Sequence, residues 1–292
     1  LATKKRKGLF MAASTKRTPV QLTDEQRLFF DKQGYLIVEN ALEGDQLARV
    51  QEAFYRVEEE TREEWQRTIA EGPAFKPYGL GPTAHVVEPI VTRGDVFLDL
   101  LEHPRTIPIA EAFLGPDIQM IDNALHVKPA GTKSHTRWHK DAKAWFYPPE
   151  EWSEEDRRTW ERIRACETPF FKIKVFFFVD DVDEETAPFS VAPGTHKLDV
   201  DTVPQYDDLT DMPNHVRLVG KAGAVVLWNG NIWHTAMDNV GTKARRMLLY
   251  NYTHFGMKQY DPCVPTGAFA AYVQDRSPLC RQLLGLERMP RA

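Results

Sequence analysis

The chain has 292 residues, 42% hydrophobic and 27% charged, enough apolar material for one sizeable core and too much for a disordered chain. A formal net charge of -5 and a pI near 6.0 lack the basic excess of a nucleic-acid-binding surface and point to small-molecule chemistry. Cys166, Cys263 and Cys280 are odd in number, widely spaced and without a CxxC pair, so the sequence suggests neither a disulfide framework nor a zinc site and fits a reducing, cytoplasmic setting.

The apolar runs Val175 to Val179 and Ala222 to Trp228 are too short to span a bilayer, so no membrane partner is expected. Residues 1–20, with Lys4 to Lys7, Lys16 and Arg17, read as a disordered basic tail or a vector remnant before a start at Met11. Residues 21–292, without repeat or internal linker, read as a single domain, monomeric or homodimeric.

In chain order, Thr23 and Gln26 form a capping box that opens a helix stopped by Gly34, and Tyr35 to Val38 reads as a strand. Leu47, Val50, Phe54 and Val57 recur at helical spacing, predicting one amphipathic helix from Asp45 to about Ile69. Residues 72–95 hold eight Gly and Pro, too many for a helix or central strand, and predict a long loop suited to a lid. A short helix follows around Ile107 to Phe113. After Gly115-Pro116 come candidate strands at Ile118 to Val127, Phe170 to Val179, Phe189 to Ala192, Ala224 to Trp228, Trp233 to Met237 and Met247 to Thr253. A segment at 146–169, with Trp152, Trp160 and Ile163 on one side of a short helix, reads as an insertion and a second lid element. Helices first and strands later give an α+β, mainly β domain in which helices buttress a sandwich or barrel.

The chemistry concentrates in Trp138-His139-Lys140-Asp141. On extended chain the imidazole and carboxylate two positions apart share a face and can bind one cation. Alone the triplet says little. Ninety-five residues on stands His234, and eleven later Arg245. Two imidazoles and a carboxylate form a facial triad that leaves positions open on a non-haem ferrous ion for a bidentate cosubstrate and O2. A guanidinium is a planar fork for a carboxylate such as the far end of 2-oxoglutarate.

Several other residues have plainer readings. His135 sits in a loop beside Gly131 and Thr132, His196 in a Pro-Gly-Thr-His turn, and Phe176 to Phe178 in the core. Arg246 should face away from Arg245 and pair with an acid, while His126 can be either a pocket or an interior histidine. Lys128, Lys133, Arg137, Lys140 and Lys143 against Asp141 make either a solvated loop face or a positive approach to the metal that favours an anionic substrate.

From Gln21 to about Tyr252 the sequence resembles the phytanoyl-CoA dioxygenase family of Fe(II)/2-oxoglutarate oxygenases. The resemblance is carried by Gly34-Tyr35-Leu36-Ile37-Val38, Gly115-Pro116, Lys128-Pro129, the His139 motif, Lys174-Val175-Phe176-Phe177-Phe178, Val182 to Pro188, Pro193 to Lys197, His234 and Arg245. It implies a double-stranded β-helix, a jelly-roll barrel like that of the cupins, with iron on His139, Asp141 and His234 and 2-oxoglutarate on Arg245. It also implies that the Trp145 ring lines the 2-oxoglutarate pocket. The implied activity is oxidative decarboxylation of 2-oxoglutarate to succinate and CO2, coupled to hydroxylation of a small-molecule C–H bond, and Asp141 argues against halogenation. Many members carry a Ser two residues past the distal histidine; here that position is Ala236, and Thr235 is its possible substitute. The alternative is a cupin-like metal-binding protein without oxygenase turnover.

Overall fold

The computed structural model describes residues 22–71, 83–134, 136–141, 153–155, 172–198, 203–257, 259 and 263–287. Helix α1 (Asp24–Gln33) begins at the Thr23–Gln26 capping box, with both reciprocal hydrogen bonds present, and ends at Gly34 with φ 84°. Glycine is needed there twice over. The backbone is left-handed, and a Cβ would lie 2.5 Å from His196 Nδ1. Strand β1 (Tyr35–Val38) follows directly.

The predicted single helix over 45–69 is two helices, α2 (Gly44–Glu60) and α3 (Arg62–Glu71). The break is at Thr61, whose hydroxyl donates to the Val57 carbonyl and meets His85 Nε2 at 2.9 Å. Helix α2 buries Val50, Ala53, Phe54 and Val57, whereas α3 buries nothing, so the apolar stripe that fixes α2 on the core ends where the chain bends. The predicted loop 72–95 also holds order. Residues 72–82 lie outside the described residues, but β2 (His85–Val87) pairs with β3 at a sheet edge, where neighbouring Pro and Gly are tolerated. A 3-10 turn (Ile90–Arg93) leads on to α4 (Asp95–Leu101), and α5 (Ile107–Leu114) follows.

The remaining strands are β3 (Ile118–Lys128), β4 (Lys172–Phe178), β5 (Phe189–Ala192), β6 (Val216–Leu218), β7 (Val225–Asn229), β8 (Trp233–Ala236) and β9 (Arg245–His254). They form a six-stranded sheet in the order β1-β7-β4-β9-β3-β2 and a three-stranded sheet in the order β6-β5-β8, every pair antiparallel. The sheets face each other as a double-stranded β-helix. Between them pack Phe176, Phe178, Phe189, Val191, Leu218 and Trp228, with Phe176 edge-on to Phe189 at 4.9 Å.

The other face of the large sheet carries Val175, Phe177, Tyr250 and Tyr252 against Phe54, Val57, Phe97, Leu101 and Ile109 of α2, α4 and α5. The buried Tyr250 and Tyr252 hydroxyls donate to the carbonyls of Phe97 and Leu101, both at 2.8 Å, tying α4 to the sheet. Two short C-terminal helices, α6 (Gly267–Tyr272) and α7 (Pro278–Leu283), join this layer through Cys280 and Leu283. The alternation along β4 decides which residues face which layer: Ile173, Val175 and Phe177 meet the helices, while Lys172, Lys174, Phe176 and Phe178 face the barrel interior. Among the described residues no helix is long and apolar enough to cross a membrane.

Candidate active site

The His139 segment extends the three-stranded sheet beyond β8. His139 and His234 exchange both backbone hydrogen bonds, at 3.0 and 2.9 Å, and the Asp141 amide donates to the Gly230 carbonyl at 3.1 Å. Trp138, almost fully buried, anchors the segment by donating from Nε1 to the Leu209 carbonyl at 2.8 Å. With His139 and Asp141 on one face of extended chain and His234 opposite, the three side chains converge. Their donor atoms lie within 4.8 Å of one another, the one such histidine–acid cluster among the described residues.

Each imidazole donates from Nδ1 to a backbone carbonyl, His139 to Arg137 at 2.7 Å and His234 to Ile232 at 2.8 Å. This fixes the tautomer and leaves both Nε2 lone pairs facing Asp141 Oδ1, at 3.9 and 3.7 Å. Burial depresses both imidazole pKa values, and the proximity of His139 adds to the effect at His234, so both rings are neutral ligands at neutral pH. Burial opposes ionisation of Asp141, but the Lys174 ammonium, His234 and Lys172 outweigh it and hold the carboxyl well below its usual range. Lys174 Nζ rests on Asp141 Oδ2 and Lys172 Nζ lies 3.8 Å from the same oxygen, leaving Oδ1 turned toward the histidines. Two neutral nitrogens and one ionised oxygen, with both Nδ1 atoms bonded to backbone carbonyls and Oδ2 paired with lysine, fit a divalent first-row metal.

Arg245 begins β9 and is buried. Its Nη1 donates to the Ala187 carbonyl at 2.6 Å, and its Nε has no partner. Burial lowers its pKa to about 10. Directly across β3 stands Lys128, fully buried, its Nζ 2.8 Å from the Lys133 carbonyl. Burial first and Arg245 second bring the Lys128 pKa down to about 8. Two buried cations side by side with an unspent guanidinium N–H form a receptor for a carboxylate.

Arg246 takes the opposite face, as its position predicts, bonding Glu58 at 2.6 and 3.2 Å and Asp180 at 3.1 Å. His196 is structural, with Nε2 3.0 Å from the Asp31 carbonyl. Thr235 does not stand in for the missing serine, because its hydroxyl donates to the Thr136 carbonyl at 2.9 Å. Trp145, His135, Lys143, Trp152 and Trp160 lie outside the described residues, as do residues 72–82 and most of 146–169. The loop of five cations is not a solvated face throughout, since Lys128 and Lys140 are buried. Sequence reasoning did not assign roles to Lys172 and Lys174, although two lysines at alternate positions of an apolar strand signal charge on the inner face.

The family model for phytanoyl-CoA dioxygenase (PhyH) matches residues 30–247, a span containing His139, Asp141, His234 and Arg245. The chain belongs to the phytanoyl-CoA dioxygenase family. Within it, an ectoine dioxygenase of Stutzerimonas stutzeri is 24% identical over 275 residues, covering 86% of this chain and 84% of that protein. An L-proline trans-4-hydroxylase of Streptomyces griseoviridis is 23% identical over 184 residues, covering 54% of this chain and 63% of the relative. Among solved structures, EctD from S. alaskensis with bound Fe superposes with a TM-score of 0.58 at 19% identity, covering 85% of this chain and 82% of the other. HygX from Streptomyces hygroscopicus, with nickel and 2-oxoglutarate bound, gives 0.59 at 11% identity, covering 82% and 90%. These structural likenesses establish the fold.

Proposed function

We propose that this member of the phytanoyl-CoA dioxygenase family is an Fe(II)- and 2-oxoglutarate-dependent dioxygenase that hydroxylates a C–H bond of a small molecule. The observation that carries this reading is one barrel interior holding both a histidine–aspartate–histidine cluster and a separate buried cation pair, Arg245 and Lys128. A bare metal-binding protein has no use for the second feature. The relatives' names, a dioxygenase and a hydroxylase of small molecules, support the same reading.

Iron would be held by Nε2 of His139, Nε2 of His234 and Oδ1 of Asp141, with the Nδ1 hydrogen bonds fixing both rings. Lys174 and Lys172 keep Asp141 ionised and engage Oδ2, so that Oδ1 would be the oxygen offered to the metal. Arg245 and Lys128 take the distal carboxylate of 2-oxoglutarate, which neutralises two cations that burial otherwise penalises. Trp228 packs on His234 at 4.4 Å, with Phe189 at 5.3 Å, and together they keep water from that ligand. The chemistry that bound ferrous iron supplies is activation of O2, one oxygen atom ending in succinate and the other in the hydroxylated product, with CO2 released.

Release of labelled CO2 from carboxyl-labelled 2-oxoglutarate tests the reading. The purified chain with Fe(II) and ascorbate should release it slowly without substrate, and not when iron is chelated. Iron binding with no CO2 release under any substrate mixture would instead support a metal-binding protein without turnover.

A further inference from the structure

The inner face of the six-stranded sheet carries a polar row level with the metal cluster. Reading the register across it, Trp228 pairs with Lys174, Lys174 with Asn251, and Asn251 with Asp122. Past the last, the Glu88 carboxyl is hydrogen-bonded to Asp122. Asn251 must face inward, because Tyr250 and Tyr252 on either side face the helices. The bulge between Met120 and Asp122 turns Asp122 to the same face, since Met120 belongs to the helix-side core. One end of the row, Lys174, is tied to Asp141 of the metal cluster. The other end lies two strand spacings away, roughly 10 Å.

That far end is rich in acceptors, with the Cys263 thiol reaching Glu88 Oε1 at 3.8 Å. Asn251 is fully buried, its Nδ2 is committed to Asp122 Oδ2, and its Oδ1 has no partner. A buried amide oxygen without a donor is costly unless a ligand supplies one. Burial, then the Asp122 carboxylate, pushes the Glu88 carboxyl up to about 8, so at neutral pH Glu88 is largely protonated against Asp122 and the pair is a proton-sharing acceptor site rather than two separate anions. Neither carboxyl pairs with a described lysine or arginine within salt-bridge distance.

We propose that Asn251, Asp122 and Glu88 form the subsite that receives a protonated amine of the prime substrate. The ammonium donates to Asn251 Oδ1 and to the carboxyl pair, which sets the amine at the β3 edge and presents carbon atoms of the substrate toward the metal cluster. The inference rests on the oxygenase reading for the word substrate, but not for the binding itself. Lys174 gives the row its direction: its ammonium repels a cation from the metal end, so the amine goes to the β3 edge.

The test is binding, read without turnover, by calorimetry or ligand-observed NMR with cyclohexylammonium as probe and cyclohexanol as the neutral control. The intact chain should bind cyclohexylammonium at neutral pH and bind cyclohexanol more weakly. Asp122→Asn, which keeps an acceptor for the Asn251 amide and removes only charge, should weaken the ammonium at least about tenfold, the loss of one charge-assisted hydrogen bond. Glu88→Gln, read beside it, guards against a folding defect in one variant, with Tm checked for both. No cyclohexylammonium binding, equal binding of the two probes, or unchanged binding in two folded variants would overturn the subsite. Release of CO2 from 2-oxoglutarate by the same preparation reports separately on the oxygenase reading, so the two can fail independently.

Discussion

Lys128 and Arg245 are directly opposed across β3 and β9, both buried, and neither forms an ion pair with a described acid within salt-bridge distance, although Asp238 raises the pKa of Lys128 from farther away. Side by side in a low-dielectric barrel, two cations repel, and the arrangement is stable in function only when an anion joins them. On the proposed reading, this pair would share the work of a single anchoring arginine.

Arg245→Lys replaces a fork by a point charge and should raise the KM for 2-oxoglutarate about ten- to a hundred-fold, as loss of a charge-assisted hydrogen bond of roughly 1.5–3 kcal/mol implies. Arg246→Lys is the control. Because Arg246 bonds Glu58 and Asp180 on the helix side, its variant should lower Tm and leave that KM within about twofold of the parent, well inside one hydrogen bond's worth. Steady-state kinetics and thermal melts on both decide the matter. Equal KM damage from the two would refute the assignment of faces.

On the proposed reading, Lys128 would tie cosubstrate binding to pH. Its pKa in the folded chain, about 8, is below the usual lysine value of 10.5, so the unfolded chain holds more protons between those two values. This group therefore makes stability rise with pH across that window, and its burial costs stability at pH 7. Function runs the other way, because only the charged form attracts a carboxylate. The KM for 2-oxoglutarate should increase as pH passes about 8, and Lys128→Met should show a raised KM already at pH 7, no further rise near pH 8, and a Tm no lower than the parent's. A parent KM flat to pH 9.5 would dissociate Lys128 from the cosubstrate.

Much of this was legible in the sequence, for physical reasons that differ by residue. The strands β1, β3 to β5 and β7 to β9 announce themselves because apolar runs bounded by Gly and Pro have few other ways to be buried. The meeting of His139, Asp141 and His234 was readable because an extended His-x-Asp places both side chains on one face and a lone distant histidine followed by Arg245 offers the third group. The break at Thr61 was not readable, since it depends on a hydroxyl meeting His85 twenty-four residues away. Lys128 looked like one of five loop cations, and only the register with Arg245 turns it into a buried partner. Thr235 had the right chemistry for the missing serine, but its hydroxyl is spent on Thr136.

Gly34 joins the first helix to the barrel, and Gly34→Ala should destabilise the chain by about 1–3 kcal/mol through left-handed backbone strain. Collision of the new methyl with His196 adds to this. Urea denaturation of the variant and of the Gly34→Ala, His196→Ala double mutant separates the two contributions. The double mutant should recover the collision and retain the strain; additive losses would show that His196 moves aside freely.

The most direct measurement is anaerobic equilibrium dialysis of Fe(II) against the intact chain and against His139→Ala, Asp141→Ala and His234→Ala, followed by 2-oxoglutarate decarboxylation in air. The intact chain should retain one ferrous ion and release CO2, and each variant should lose both at limiting iron, because two remaining ligands hold ferrous iron weakly in water. Any one of the three variants that keeps near-normal iron and near-normal CO2 release would show that the residue replaced is not a metal ligand.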